Sequence, residues 1–360
     1  MIIKSIRLNN FRCFEETEFD FDDKFIVVEG DNGSGKTSLL EAIYYSCYLR
    51  SFRTRLNREL ISFDQKHFFI KNIFEDSTGI LNQIQVGYSL QDGKLVRFNK
   101  KLIQSYKKII SFYKVICVTE DDLFLINGAP DFRRSFLNQS LFLSDFDFVT
   151  NLKRYRQILE QRNSFLLKIS CRKLDENLKK ELYSWTKQLW EHSLILQKSR
   201  VYFLKNLEKN VNKLLKEYFF EDVFIKLEYV AKNIKFNEDF KQFWNRYNKN
   251  LFEKEIKWFR SLFGFHLDDF SISFKKKKAK FFASRGQQKL ILFLLKVSQL
   301  FNLQSYGELG CLLLDDFLTD FDETVLNNSL NLLRELNCQV FLTCPNKLKI
   351  LSNWSRIYLS

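Results

Sequence analysis

The run Gly30-Asp31-Asn32-Gly33-Ser34-Gly35-Lys36-Thr37 satisfies G-x-x-x-x-G-K-[ST] at every position, and its surroundings suit it. Phe25-Ile26-Val27-Val28 is a short apolar run ahead of it, and Ser38-Leu39-Leu40-Glu41-Ala42-Ile43 behind it is helix-prone, so strand, loop and helix follow in order. The glycines let the backbone curl until successive N–H groups point at phosphate oxygens, and the helix N-terminus adds partial positive charge. Lys36 would reach the β- and γ-phosphates, and Thr37 would place its hydroxyl on Mg²⁺. The loop therefore implies ATP or a related triphosphate as ligand. It does not by itself imply a function.

A chain of 360 residues with 45% hydrophobic content has room for a nucleotide-binding core and a second module. No stretch of about 18 uncharged apolar residues occurs, and Met1-Ile2-Ile3-Lys4-Ser5-Ile6-Arg7-Leu8 alternates like a strand rather than a leader. The expectation is a soluble, cytoplasmic protein with no membrane partner. Seven cysteines (Cys13, Cys47, Cys117, Cys171, Cys311, Cys338, Cys344) form no C-x-x-C pair and sit largely in apolar runs, which predicts reduced, buried thiols and no cysteine metal site. The net charge of +14 makes an anionic polymer a natural partner, and charge alone leaves DNA, RNA and membrane open. A Lys- and Phe-rich, Pro-poor composition also fits biased codon usage, so the 39 phenylalanines carry no argument for base stacking.

Along the chain, strand-like segments flank Asn10-Phe11-Arg12-Cys13-Phe14, and residues 66 to 118 again read as strands, with Gln91-Asp92-Gly93 a hairpin turn. After Gly128-Ala129-Pro130 no Gly or Pro recurs until Gly264. Leu174, Leu178, Leu182, Trp185, Leu189, then Leu204, Leu207, Val211 and Leu214 mark one apolar stripe on a long helix or antiparallel helix pair. The expected organisation is an α/β ATPase head with a mixed sheet, formed from residues 1–128 and 241–360, interrupted by a mainly helical lid over 129–240. The lysine-rich segment Lys275-Lys276-Lys277-Lys278-Ala279-Lys280 reads equally as a solvated hairpin or as a phosphate contact.

Cys311-Leu312-Leu313-Leu314 followed by Asp315-Asp316 is what Mg²⁺·ATP needs on a strand beside the loop. Asp315 is assigned to the metal, with Thr37, and Asp316 to the general base. Ser284-x-Gly286-Gln287 lies about thirty residues earlier at the start of a helix, the spacing of an ATP-binding-cassette signature. In such an architecture the signature cannot reach its own phosphate loop, so two protomers would clasp two nucleotides, with Ser284, Gly286 and Gln287 completing the partner's site. Thr319-Asp320-Phe321-Asp322 then resembles the loop that follows the acidic pair across the dimer interface.

Together with Asn10-Phe11-Arg12, Leu40-Glu41-Ala42, Ser51-Phe52-Arg53, Asp122-Leu123, Gly128-x-Pro130-x-x-Arg133-Arg134, Gln161-Arg162-Asn163, Trp185 and Gly264-x-His266-x-Asp268-Asp269, these motifs resemble, nearly end to end, the RecF family of bacterial replication and recombination-repair ATPases, relatives of the SMC proteins. The absence of a long coiled-coil insert favours this family over its long-armed relatives. The resemblance implies an ABC-type P-loop head and an ATP-dependent homodimer that holds duplex DNA near single-strand/duplex junctions. It also implies RecR and RecO-type mediator partners, recombinase loading at gaps, and hydrolysis that opens the dimer. It places Glu120, Asp121 and Asp122 beside the nucleotide. Glu120, Asn138, Phe265 and Leu267 depart from the family pattern, and Cys344, in Thr343-Cys344-Pro345-Asn346, is a poor proton carrier at the switch segment, which predicts slow or conditional hydrolysis. Arg133, Arg134 and Arg162 are candidates for DNA contact or for ion pairs within the fold. The alternatives from other classes are an ATP-gated DNA scaffold with negligible hydrolysis and an ATPase subunit of a membrane transporter.

Overall fold

The computed structural model describes residues 1–76, 78–103, 114–170, 175–304, 310–344 and 354–359. Cys171, Leu174, Pro345 and Asn346, named above, lie outside them. The chain divides into two units: Met1–Leu123 with Leu214–Asp222 and Ser284–Ser360, and Phe124–Lys213 with Val223–Ala283.

In the first unit, uninterrupted apolar runs make strands buried on both faces, which is the pattern of a parallel sheet. Lys114–Val118, Gly310–Leu314 and Gln339–Cys344 are buried at every residue. The order is Ser355–Leu359, Phe25–Gly30, Gln339–Cys344, Gly310–Leu314, Lys114–Val118, every neighbour parallel. Runs that alternate instead build a second, antiparallel sheet in the order Phe14–Asp20, Ile2–Phe11, His67–Glu75, Leu81–Ser89, Gly93–Phe98, Lys101–Leu102. Its hairpin closes with Ser89 opposite Gly93, around the expected Gln91-Asp92-Gly93 turn. The mixture of strand directions is thus divided between two sheets. Helix Lys36–Tyr48 joins their cores: Leu39, Leu40 and Ile43 pack in one cluster with Ile3, Ile6 and Leu8 of one sheet and Ile26, Val28, Leu313 and Phe341 of the other.

The second unit carries the helix Phe146–Ser170 and the helix Glu176–Tyr218 as far as Lys213. They run antiparallel, with Arg162 bonded to the Thr186 hydroxyl at 3.2 Å, and the stripe residues Leu182, Leu189, Leu204, Leu207 and Val211 are buried. The unit does not end near residue 240 but runs on to Ala283. The reason is a strand pairing between distant segments, from Ile225 opposite Phe274 to Val230 opposite Asp269, which brings residues assigned to the ATPase head into this unit.

The three arginines singled out as candidates for DNA contact are ion-paired within the fold. Arg162 is fully buried, bonds Glu255 at 2.6 Å, Ser261 at 2.7 Å and Tyr247 at 2.9 Å, and lies over the Phe263 ring at 4.7 Å. Arg133 grips Asp269 through two bonds of 2.8 Å, and Arg134 pairs with Asp131 at 2.7 Å. Of the two readings left open for these arginines, the structure supports the ion pairs. Two departures compensate each other: Asn138 offers Arg200 a neutral acceptor at 2.9 Å, and Phe265 puts an aromatic face 3.5 Å from the same guanidinium.

Asp268 accepts from Gln197 Nε2 at 2.6 Å, the Tyr229 hydroxyl at 2.7 Å and the Lys232 amide at 2.7 Å, while burial raises its carboxyl above the ordinary range. The His266 ring sits 2.6 Å from the Tyr155 hydroxyl, and burial lowers it from 6.5 to about 4. A folded value below the unfolded one means that protonation favours the unfolded chain. The contribution of His266 is complete above about pH 6.5 and is lost as pH falls toward 4, to a limit of about 3 kcal/mol. His266→Gln should therefore show a flatter dependence of melting temperature on pH between 7 and 5 than the parent; equal slopes would assign that dependence to other groups.

Candidate nucleotide site

The buried strand Phe25–Gly30 delivers the loop, and two left-handed glycines turn it. Gly33 has φ 91° and Gly35, which caps the helix, φ 101°; a Cβ on Gly35 would also lie 2.6 Å from Cys13 Sγ and 2.9 Å from the Phe14 ring. Only glycine meets both constraints. Asp31, Asn32 and Gly33 are exposed, and no acidic residue occupies the first turn of Lys36–Tyr48, so nothing on the helix competes with an anion for its N-terminus. The Lys36 ammonium is folded back onto the loop, donating to the Gly30 carbonyl at 2.8 Å and the Asp31 carbonyl at 2.9 Å.

Parallel register brings the acidic pair to the same place. Asp315 ends the strand next but one to the loop strand, and its Oδ1 accepts from the Thr37 hydroxyl at 2.9 Å, across 278 residues of sequence. Between them, Thr343 on the intervening strand places its hydroxyl 3.0 Å from Asp315 Oδ1 and 3.3 Å from Asp316 Oδ1, and accepts the Asp316 amide at 2.7 Å. Burial raises the Asp315 carboxyl, and the two threonine hydroxyls draw it partly back. Oxygen atoms of Thr37 and Asp315 converging beside a phosphate-type loop fit Mg²⁺, a hard cation that takes few protein ligands and keeps its waters. Asp316 has φ 47°, which turns its side chain out of the strand at this point. Cys344, one residue beyond Thr343, is buried.

Three short motifs whose purpose was not legible in sequence converge on one carboxylate. Glu41 is fully buried on the loop helix; Arg12 Nε and Nη2 grip it at 2.9 and 2.8 Å, the Ser51 hydroxyl bonds it, and Arg53 lies 3.6 Å away. Asn10-Phe11-Arg12 and Ser51-Phe52-Arg53 thus anchor Leu40-Glu41-Ala42, and with it the helix behind the phosphate loop. Arg12→Ala would strand most of a buried charge and should cost about 3 kcal/mol, read as a fall in melting temperature. Combining it with Glu41→Leu should recover most of the loss; no recovery would show that Arg12 acts through its other bond, to the Glu59 carbonyl at 2.7 Å.

The signature stands at the start of helix Arg285–Gln304. Ser284 and Gln287 cap it reciprocally, the Ser284 amide donating to Gln287 Oε1 at 3.0 Å and the Gln287 amide to Ser284 Oγ at 3.3 Å. Ser284, Arg285 and Gly286 are exposed, and nothing lies within 4 Å of where a Gly286 Cβ would be. The structure therefore brings Lys36, Thr37, Asp315 and Asp316 together and leaves Ser284, Gly286 and Gln287 on an open helix end. Glu120 and Asp122 are tied to the signature helix. Glu120 bonds Arg285 at 2.7 Å and lies 3.2 Å from Lys289, which lowers its pKa; Asp122 pairs with Lys296 at 2.9 Å. Lys289, almost fully buried and missed in the sequence, also joins Asp320 of the loop after the acidic pair at 2.6 Å.

The family model described as RecF/RecN/SMC N terminal domain matches residues 2–358. The chain is 30% identical over 329 residues to the DNA replication and repair protein RecF of an Exiguobacterium species, covering 90% of this chain and 87% of that one. It is equally similar to that of Bacillus pumilus, 30% over 329 residues, covering 90% and 88%. A solved structure of the recombination mediator protein RecF with ATP, from the RecFOR pathway, superposes with a TM-score of 0.83 at 26% identity, over 99% of this chain and 95% of that one. The Smc head domain of Pyrococcus furiosus, at 15% identity and a TM-score of 0.57 over 99% and 93%, shares the fold. No helix among the described residues is long and apolar enough to cross a membrane.

Proposed function

Because the chain belongs to the RecF/RecN/SMC N-terminal domain family and is an ATPase of the RecF type, we propose that it is an ATP-gated dimeric clamp on DNA in recombinational repair. In this reading, loop N–H groups take the phosphates of ATP, and Lys36 leaves the Gly30 and Asp31 carbonyls for the β- and γ-oxygens. Thr37 and Asp315 hold Mg²⁺, which neutralises phosphate charge. Asp316 accepts the proton of the attacking water. Ser284 and the amides of Gly286 and Gln287, from a second protomer, close over the γ-phosphate. The observation that carries this reading is the signature itself, a capped and solvent-open helix end on the unit that holds the loop.

The γ-phosphate then acts as a population switch, adding contacts available only in the closed dimer; each tenfold shift toward that state takes about 1.4 kcal/mol of differential binding. DNA at single-strand/duplex gaps is the cargo, in the cytoplasm, and RecR and RecO-type mediators are the partners in recombinase loading. Hydrolysis releases the DNA. A second reading, a scaffold that assembles on ATP and scarcely hydrolyses it, draws support from Cys344, a buried thiol at the position of a γ-phosphate sensor.

Steady-state ATP turnover measured against protein concentration, with and without gapped duplex, tests both. A rate per protomer that climbs with concentration and with DNA supports the clamp. ATP-dependent dimers with negligible turnover support the scaffold. A rate indifferent to concentration and DNA means a self-contained site and overturns the two-protomer mechanism.

A further inference from the structure

On the second unit, a lysine hairpin and a patch of bare aromatic rings adjoin. Strands Asp269–Phe274 and Lys277–Lys278 are joined by Lys275 and Lys276, both left-handed at φ 50° and 64°, in positions where Asn-Gly is the usual choice. The short turn Ala279–Phe282 follows and packs against Phe124–Asn127. Four phenylalanines are left open to solvent: Phe281 is 70% exposed, Phe282 63%, and Phe124 and Phe132, their rings stacked at 5.1 Å, 46% each. Lys277 lies 4.9 Å from the centre of the Phe282 ring and Lys280 5.8 Å from that of Phe281. Among the described residues, none of the five lysines between 275 and 280 is paired with a carboxylate.

Scattered exposed rings are ordinary, but a contiguous aromatic patch beside unpaired cations marks a ligand surface. Charge selects a polyanion. The ring faces select one whose bases are free to stack, which excludes an intact duplex, where the faces are already stacked on one another. We propose that this surface holds unpaired nucleotides of single-stranded DNA, the bases against Phe281 and Phe282 and the phosphates along Lys275 to Lys278. The inference rests on the DNA-binding reading above and assigns a place to the single-strand side of a gap. Composition gave no such signal, because phenylalanines occur both in the cores and elsewhere on the surface; what distinguishes these four is adjacency, Phe124 stacked on Phe132 and the turn Ala279–Phe282 packed against Phe124–Asn127.

The full-length protein would be titrated against a labelled oligothymidylate of about 15 nucleotides and, separately with ATP, against a mixed-sequence duplex. Phe281→Ala with Phe282→Ala should weaken oligothymidylate binding about tenfold or more and leave duplex affinity unchanged. Changing Lys275 to Lys278 to glutamine should make the log–log salt dependence shallower by about 3. Parental oligothymidylate binding by both variants overturns the proposal. Equal losses on single strand and duplex overturn it too, since contact would then be to phosphates alone. So does loss of the ATP-dependent dimer in the phenylalanine variant, measured by light scattering, because a second copy would then cover this face. A parent that binds duplex but not oligothymidylate refutes this inference only, whereas one that binds neither refutes the DNA reading beneath it.

Discussion

Lys36→Ala is expected to raise the dissociation constant for ATP at least about 100-fold, or about 2.7 kcal/mol, and to abolish ATP-dependent dimerisation and DNA retention together. The size follows from losing charge-assisted bonds to two phosphates in a loop whose other donors are neutral amides. Folding should be spared. The ammonium's bonds are to two carbonyls of its own loop, Gly30 and Asp31, and those can turn to water once it is gone. Equilibrium dialysis alongside a thermal melt separates the outcomes: weak binding with a parental melt supports the assignment, and undiminished binding removes Lys36 from the nucleotide.

Asp316→Asn is expected to slow ATP turnover by about 100- to 10,000-fold and to hold the ATP-bound dimer on DNA. Asparagine tolerates the left-handed backbone at this position and preserves the amide donated to Thr343, so the strand end should keep its shape while the proton acceptor is lost. Turnover and the rate of DNA release in a chase would be read on the same preparation. Turnover at the parental rate would assign the base to another group. Slow turnover with parental DNA release would detach hydrolysis from the release switch.

The parts of the site that were legible in sequence are those whose chemistry is local. Glycine spacing, a lysine at a fixed offset and an apolar run ending in two acids each state their geometry within a few residues, and the structure brings Thr37 and Asp315 to 2.9 Å. What was not legible depends on partners far away in the chain. Nothing near Glu120 reveals that Arg285 will neutralise it, and nothing near Glu41 reveals that Arg12 and Ser51 will meet on it. The boundary of the second unit failed for the same reason. Ile225–Val230 looks like the end of a helical region until Asp269–Phe274 pairs with it, and that pairing draws the intervening residues across the expected border. Charge was equally silent about its use. Arg162 and Lys277 count alike in the sequence total, yet one is sealed against Glu255 and the other stands over an exposed ring.

The order of strands in the parallel sheet also dictates when the chain can first hold a nucleotide. Phe25–Gly30 emerges early in synthesis, yet both of its neighbours, Gln339–Cys344 and Ser355–Leu359, come from the far end, and Gly30 lies against the Leu359 carbonyl. Such pairings close loops of more than 300 residues and form late. The phosphate cradle gains its walls only when Gln339–Cys344 and Ser355–Leu359 have joined Phe25–Gly30. A chain lacking the residues from 339 onward would keep the loop sequence but leave Phe25–Gly30 without either neighbouring strand, and is expected not to hold ATP.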